Sequence, residues 1–168
     1  MRVAIAGNSG SGKTTLAGIL IENQQASVLD LDTVAWERDK IAVARPTELA
    51  RADVRTFCTS HDSWIVEGCY AGLVEVALDF NAHLLVLDPG QEQCVSNCLS
   101  RPWEPHKYPS KEEQDEKLPF LLKWIEEYYS RDGDMSLAAH KKLYEDYSGP
   151  RQWLSKLPQS GFAVGELL

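Results

Sequence analysis

The residues best suited to chemistry lie near the start of the chain, where Gly7–Thr14 reads Gly-Asn-Ser-Gly-Ser-Gly-Lys-Thr. This is a complete G-x-x-x-x-G-K-T pattern, which binds nucleotide phosphates when a strand precedes it and a helix follows. Its glycines permit backbone angles that let successive N–H groups surround phosphate oxygens, and the following helix N-terminus adds partial positive charge. We therefore expect a nucleoside triphosphate to contact the loop residues Gly7, Asn8, Ser9, Gly10, Ser11, Gly12, Lys13 and Thr14.

The last residues of this loop have distinct expected roles. Lys13 is expected to neutralise the β and γ phosphates and to act in catalysis, and the Thr14 hydroxyl to ligate Mg²⁺. Thr15 follows as a helix residue near the nucleotide. The alternative is a glycine-rich turn that matches by chance. The apolar run before the loop and the helical spacing of apolar residues after it favour the phosphate loop.

Two carboxylates follow the second apolar run, Ser27–Leu29, in the order Asp30-Leu31-Asp32. Residues two apart on a strand face the same way, so both are expected at the sheet edge where open α/β sheets bind ligands. We expect Asp32 to orient an attacking hydroxyl and accept its proton, and Asp30 to hold hydrated Mg²⁺. The alternative is that one of them merely caps the next turn.

The elements that must position these residues alternate along the chain, which is typical of an α/β fold with a parallel sheet covered on both faces. We expect a three-layer α/β/α phosphate-loop fold with a central five-stranded parallel sheet, in a single domain over residues 1–168 with a helical lid insertion at about 101–148. The predicted strands are Arg2–Ala6, Ser27–Leu29, Trp64–Val66, His83–Leu87 and Gln152–Leu154. The predicted helices are Thr14–Glu22, Thr47–Cys58, one over Leu118–Tyr129 with Pro119 in its first turn, and Ser136–Tyr147.

Composition excludes several classes of protein. The formal net charge is −8, so the chain has no surplus of basic residues for binding a nucleic-acid backbone or an anionic membrane. No apolar run approaches the ~20 residues that span a bilayer. The four cysteines lack metal-site spacing and are expected to be reduced and mostly packed inside. We expect a cytoplasmic protein without nucleic-acid or membrane partners, as a monomer or a homodimer.

Three segments together resemble a known group of proteins: Gly7–Thr14, Leu29–Asp32 followed by Trp36, and Asp62–Tyr70. In this order they resemble the adenylate-kinase-related proteins labelled DNA topology-modulation proteins. More broadly the chain is similar to the shikimate-, gluconate- and nucleoside-monophosphate-kinase superfamily. The similarity covers about the first hundred residues. It implies ATP and Mg²⁺ as cofactors and places both Asp30 and Asp32 at the acceptor and metal site.

The third-strand acid-glycine pair of that superfamily matches Glu67-Gly68. An acid there can hold a Mg²⁺-bound water or an acceptor group, and we favour Glu67 for it. Asp88 is the competitor, although Leu87-Asp88-Pro89 resembles the fourth strand of these kinases, where that residue starts a helix. Cys69 stands where the pattern has Asn, and the Gly-Gly-Gly of shikimate kinases and the D-G-F-P-R of adenylate kinases are both absent.

Basic residues are expected to complete the site. In the resembling kinases a mobile lid after the fourth helix brings positive charge onto the γ-phosphate, and Arg101 is the first choice for that role. A surface arginine at a helix C-terminus is the alternative. Arg151 is expected to contact the nucleotide, because the superfamily has its adenine-contacting loop near the last strand. Weaker candidates for the lid charge are Lys107 and Arg131, and candidates for an acceptor clamp or a solvated helix face are Arg45, Arg51 and Arg55.

The sequence therefore predicts an ATP-dependent phosphotransferase. Its acceptor is expected to be a small hydroxy metabolite of the shikimate or gluconate type, or a nucleoside monophosphate. Guanine-reading and switch motifs of GTPases are absent. Specificity is expected to reside in the aromatic and acidic insertion, residues 103–147. The alternative is an ATP-binding regulatory protein that hydrolyses ATP slowly and has no phosphoryl acceptor.

Overall fold

A computed structural model describes residues 1–22, 24–37, 43–105 and 108–159. The strands in this part of the chain are β1 Arg2–Gly7, β2 Ser27–Asp30, β3 Trp64–Gly68, β4 His83–Leu87 and β5 Arg151–Leu154. The helices are α1 Lys13–Ile21, α2 Asp32–Ala35, α3 Thr47–Ser60, α4 Ala71–Leu78, α5 Gln91–Leu99, α6 Lys111–Glu127 and α7 Leu137–Asp146.

The five strands form one sheet in the order β2-β3-β1-β4-β5, and every neighbouring pair is parallel. This confirms the predicted α/β fold with a five-stranded parallel sheet. The central β1 pairs with β3 on one side and with β4 on the other. Because the strands are parallel, the phosphate loop after β1 lies at the same edge as the ends of β2, β3 and β4.

Both faces of the sheet are covered, which explains why its central strands are almost wholly apolar. On one face, Val3 and Ile5 pack with Leu16 and Leu20 of α1. On the other face, a larger core contains residues of α3, α4 and α7, with Trp64 fully buried at its base. A smaller cluster of Cys94, Cys98 and Ile125 joins α5 to α6. In the described residues, no helix is long and apolar enough to cross a membrane.

The first insertion helix differs from the prediction. It begins at Lys111, so Pro119 lies inside it and not in its first turn. The side chain of Ser110 caps this helix by accepting a hydrogen bond from the backbone N–H of Glu113. A serine followed three residues later by glutamate is a strong start signal, and it overrides the polar character of the segment.

The second correction concerns the end of β2. The strand ends at Asp30, and Asp32 is the first residue of the short helix α2. The alternation of side chains along a strand therefore does not extend to Asp32. The two carboxylates are instead oriented by the local turn that joins β2 to α2.

Candidate phosphoryl-transfer site

The phosphate loop is shaped by two glycines in left-handed conformations. Gly10 has φ 74° and Gly12 has φ 98°. A Cβ atom on Gly10 would lie 2.4 Å from the carbonyl oxygen of Cys94, so a side chain has no room there. The loop therefore packs directly against α5 and leads into the first turn of α1, as phosphate binding at a helix N-terminus requires.

The polar groups of the loop fit an anionic ligand. Lys13 is buried, and its Nζ donates a 2.8 Å hydrogen bond to the backbone oxygen of Asn8. The Ser11 hydroxyl is buried and has no hydrogen-bond partner among the described residues. A buried hydroxyl without a partner is costly, and a phosphate oxygen would satisfy its donor. Thr14 and Thr15 are exposed at the start of α1.

Glu67 lies directly behind the loop. Its Oε1 accepts a 2.6 Å hydrogen bond from the Thr14 hydroxyl, and it pairs in register with Asp30 on β2 and with Ile5 on β1. Burial raises the pKa of Glu67 above its usual value, against the opposing charge of Lys13 and the hydrogen bond of Thr14. The competing acid, Asp88, accepts hydrogen bonds from the Tyr129 hydroxyl and the backbone N–H of Gly90.

Asp30 and Asp32 are brought together, with different partners. Oδ1 of Asp30 accepts a 2.9 Å hydrogen bond from the backbone N–H of Asp32. The turn-capping alternative therefore applies to Asp30. The Asp32 side chain accepts a 2.7 Å hydrogen bond from the hydroxyl of Tyr70, which itself accepts one of 2.6 Å from the indole N–H of Trp36. Both carboxylates are close enough to Glu67 to act on its pKa.

A cavity of about 720 Å³ opens in front of the loop. It is lined by the phosphate loop from Gly10 to Thr15, by one face of α5, by Arg101 and by the segment after β5, Ser155–Leu157. Its size is in the range of small-molecule sites. Arg101 is half-buried at its rim and bonded to Oε2 of Glu104 at 3.1 Å. Of the predicted nucleotide contacts, Gly7, Asn8 and Ser9 lie outside this lining.

Arg151, the predicted nucleotide contact near the last strand, lies outside the lining of this cavity. It pairs in register with Leu84 near the beginning of β4, at the opposite edge of the sheet from the phosphate loop. Its guanidinium bonds to the backbone oxygen of Tyr147 and lies 5.2 Å from the Tyr144 ring. The chain must run the length of β5 before it reaches the cavity at Ser155–Leu157.

The other basic candidates have partners of their own. The three arginines before and along α3 bond to acidic side chains and backbone oxygens: Arg45 to Asp53 and Val34, Arg51 to Gly72 and Glu75, and Arg55 to Asp79. Arg131 lies 3.5 Å over the Trp124 ring and donates to the backbone oxygens of Trp124 and Met135. Lys107 lies outside the described residues.

Asn97 is a site residue that the sequence reasoning missed. Its amide donates a 2.8 Å hydrogen bond to the backbone oxygen of Gly10, and it accepts one of 2.7 Å from Gln93. Gln93, Asn97 and Arg101 recur every four residues, and all line the cavity. That spacing, with Gln93 and Asn97 on one face of α5 and Arg101 just past its end, was the available signal.

The last turn of α6 anchors the predicted insertion to the phosphate loop. The sequence did not predict this contact. The Asn8 side chain donates a 2.9 Å hydrogen bond to the backbone oxygen of Ile125. In the next turn, the Tyr128 hydroxyl bonds to Nδ1 of the fully buried His140 at 2.7 Å. Nε2 of His140 bonds to the backbone oxygen of Cys69 at 2.9 Å. The insertion is thereby tied to the ends of β1 and β3.

The described residues contain no group of three or more His, Cys, Asp or Glu side chains arranged to hold a metal ion. The oxygens of Thr14, Glu67 and Asp30 are nevertheless of the type that Mg²⁺ prefers. Mg²⁺ is commonly held by one or two carboxylates together with substrate phosphates and waters, so this donor set fits the ion in a nucleotide complex.

No family model and no curated protein sequence matches the chain. Its structure is similar to that of an unliganded sugar kinase from Janibacter sp. HTCC2649, with 15% identity, 98% of this chain and 88% of that chain covered, and a TM-score of 0.49. A shikimate kinase from Bacteroides thetaiotaomicron is 16% identical over 86% of this chain and 97% of its own, with a TM-score of 0.48. A deoxyadenosine kinase from M. mycoides, solved with dATP, is 13% identical over 99% and 95%, with a TM-score of 0.47.

All three of these structures are kinases of small molecules. At such identities the similarity concerns the fold, and the substrates of those kinases are not carried over to this chain. The resemblance to DNA topology-modulation proteins rests on the sequence motifs alone.

Proposed function

We propose that this protein transfers the γ-phosphoryl group of ATP to a small-molecule acceptor, with Mg²⁺ as cofactor. The observation that carries the proposal is the contact between Thr14 and Glu67, made behind a phosphate loop whose buried Lys13 faces the same cluster of acids. Lys13 and Thr14 line the cavity, and the Thr14 hydroxyl connects it to the buried carboxylate of Glu67 behind the loop. A phosphate loop that only held a structural turn would not need this buried charge.

In the proposed reaction a bond forms between an acceptor oxygen and the γ-phosphorus, and the bond from that phosphorus to the bridging oxygen breaks. ADP leaves with the electron pair of that bond. The acceptor hydroxyl gives its proton to the carboxylate of Asp32. The positive charges of Lys13 and Arg101 stabilise the negative charge on the phosphoryl oxygens. The backbone N–H groups of the loop bind the remaining phosphates.

When bound, Mg²⁺ would supply positive charge that offsets the negative charge of the nucleotide phosphates. The residues that would hold it are Thr14 and, through water, Glu67 and Asp30. Arg101 must leave Glu104 in order to reach the phosphates, because its guanidinium is bonded to that carboxylate. The acceptor remains either a hydroxy metabolite of the shikimate or gluconate type or a nucleoside monophosphate. We propose no nucleic-acid or membrane partner, and action in the cytoplasm as a monomer or homodimer.

The test is ADP release from Mg-ATP in a coupled assay. Each reaction contains one compound from a panel of nucleoside monophosphates, shikimate, gluconate and related hydroxy acids, and Lys13→Ala provides the blank. We expect one compound to stimulate ADP release strongly in the wild type and not in the variant. Circular dichroism of Lys13→Ala checks that its fold is intact.

Two outcomes contradict the proposal. Turnover that is equal in Lys13→Ala and the wild type removes the phosphate loop from the reaction. Slow Lys13-dependent ATP hydrolysis that no member of the panel stimulates favours instead the ATP-binding regulator without an acceptor.

A further inference from the structure

A chain of two hydrogen bonds links three side chains beside the proposed acceptor site. An indole N–H can only donate, so the 2.6 Å contact between Trp36 and Tyr70 uses the Tyr70 oxygen as acceptor. The hydroxyl hydrogen of Tyr70 is then directed at its other partner, Oδ1 of Asp32, at 2.7 Å. Trp36 therefore sets the direction in which Tyr70 donates.

We propose that Tyr70 is a positioning residue that fixes the carboxylate of Asp32 for the acceptor hydroxyl, with Trp36 holding Tyr70 in the donating orientation. This inference rests on the proposed function, because it gives Asp32 a reaction to serve. Tyr70 acts through Asp32 and is not itself assigned a contact with either substrate.

The anchoring of Tyr70 supports this role. Its side chain is 8% exposed, and it stands between the end of β3 and the start of α4. Its backbone oxygen accepts the N–H groups of Leu73 and Val74, at 3.1 and 2.9 Å. The tyrosine ring is therefore held by the main core, and the position of its hydroxyl is set by the sheet.

Asp32, in contrast, lies on a short and locally held element. Its helix, α2, has four residues, and its backbone N–H is bonded to Asp30. That bond fixes the backbone of Asp32 and leaves the rotation of its carboxylate to side-chain contacts. A hydrogen bond from a rigid phenol restricts this rotation, and misplacement by about 1 Å of a reacting group is enough to slow catalysis ~10²-fold.

Trp36 connects the same network to the segment after α2. Its backbone forms an antiparallel bridge with Ala44, and the backbone N–H of Glu37 donates to the oxygen of Val43 at 2.9 Å. The indole N–H thus links the residue that forms this bridge to Tyr70. The three side chains connect the end of β3, the helix α2 and the bridge between Trp36 and Ala44 at the place where the proposed acceptor meets Asp32.

The first test is a double-mutant cycle in the coupled assay, with Mg-ATP and the panel compound that stimulates the wild type. Tyr70→Phe removes only the hydroxyl, and we expect kcat to fall roughly 10- to 100-fold while KM for ATP stays within about twofold. In an Asp32→Asn background the same change should add little, since Tyr70 then has no carboxylate to position. Tyr147→Phe is the control, because it deletes a hydroxyl bonded to Ala82 at the opposite edge of the sheet.

The second test needs no turnover. In ¹H–¹⁵N spectra, the indole resonance of Trp36, identified by its loss in Trp36→Phe, should shift in Tyr70→Phe and also in Asp32→Asn. The indole of Trp64, buried on the far side of the core and without a hydrogen-bond partner among the described residues, is the internal reference.

The outcomes separate this inference from the proposed function. A wild type that no panel compound stimulates contradicts the proposed function and this inference with it. An active wild type whose Tyr70→Phe variant has the same kcat overturns only the role of Tyr70. The positioning role of Tyr70 is also overturned if Tyr70→Phe lowers kcat by the same factor in the Asp32→Asn background as in the wild type. It is likewise overturned if the Trp36 indole resonance does not shift in Asp32→Asn. In either case the tyrosine has only a structural role.

Discussion

The hydroxyl of Thr14 donates a 2.6 Å hydrogen bond to Oε1 of Glu67, which joins the first turn of α1 to the end of β3. The carboxylate is 3% exposed, and burial raises its pKa. Burying an ionisable group costs stability, even with Lys13 nearby. The position of this acid beside a phosphate loop supports the proposed role of Glu67 in holding Mg²⁺.

Replacing Glu67 by Gln should separate function from stability. The amide keeps the shape of the side chain and removes the charge, so we expect ATP turnover to fall roughly 10- to 100-fold, as for residues that support a metal ion. The free energy of unfolding should stay the same or increase, because no buried carboxylate must be kept ionised. Steady-state kinetics over a Mg²⁺ series, with urea unfolding of both proteins, measure the two effects.

Asp88→Asn is the matched control for this prediction. It neutralises the acid that ends the neighbouring strand, and the amide oxygen can still accept the hydrogen bond from Tyr129. Turnover should remain near that of the wild type. A larger loss in Asp88→Asn than in Glu67→Gln would assign the metal-supporting role to Asp88.

Much of this site follows from the sequence because its elements are set by short-range signals. The phosphate loop is a fixed spacing of glycine, lysine and threonine, and the continuously apolar run before Glu67 favours a strand covered on both faces, as in a parallel sheet. Strand ends that share an edge then bring Glu67, Asp30 and the loop together. The bond from Thr14 to Glu67 crosses 53 positions of the sequence and follows from the sheet order alone.

A second prediction compares Arg101, which lines the cavity, with Arg151, which does not. Arg101→Ala should lower kcat, by roughly 10³-fold if it neutralises transferring charge as such arginines do. Arg151→Ala should leave kcat and KM for ATP near the wild-type values. The reverse order of effects would place the nucleotide at the start of β5, at the opposite edge of the sheet from the cavity, and contradict the assigned site.

The distance of Arg151 from the cavity has a physical origin in its position at the start of β5. The sequence predicted the last strand correctly, and the segment that lines the cavity, Ser155–Leu157, follows this strand directly. A parallel strand of four residues is roughly 13 Å long, however, so its two ends face different edges of the sheet. The orientation of Asp32 is equally sensitive to a strand boundary. Because β2 ends at Asp30, the alternation of side chains along a strand does not apply to Asp32. Neither boundary is marked by a residue type that the sequence could reveal.

Two glycines offer a test of the loop geometry. Gly10→Ala places a Cβ atom 2.4 Å from a backbone oxygen at a positive φ, so we expect a loss of about 1–3 kcal/mol in the free energy of unfolding and weaker ATP binding. Gly18→Ala lies in α1 with open space around its Cβ and should stabilise the protein by about 0.5–1 kcal/mol. Urea unfolding and titration with a fluorescent ATP analogue measure both. Equal effects of the two substitutions would contradict the contact between the loop and α5.

His140 is fully buried between the insertion and the end of β3, and its two ring nitrogens have different partners. The backbone oxygen of Cys69 can only accept, so Nε2 carries the proton and Nδ1 accepts from the Tyr128 hydroxyl. This arrangement suits the neutral ring. Burial lowers the pKa of His140 to about 4, and the charges of Lys13 and Arg131 act in the same direction.

The stability of the protein should therefore depend on pH through His140. In the unfolded chain its pKa is near 6.5, so between that pH and about 4 the unfolded state binds more protons than the folded state. The contribution is fully present above the unfolded pKa and is lost as the pH falls, by about 3 kcal/mol in total. Urea unfolding of the wild type and of His140→Gln at pH 7.5, 6, 5 and 4 measures it. We expect the wild type to lose stability more steeply than the variant across this range, and parallel curves would show that the histidine is not buried in its neutral form.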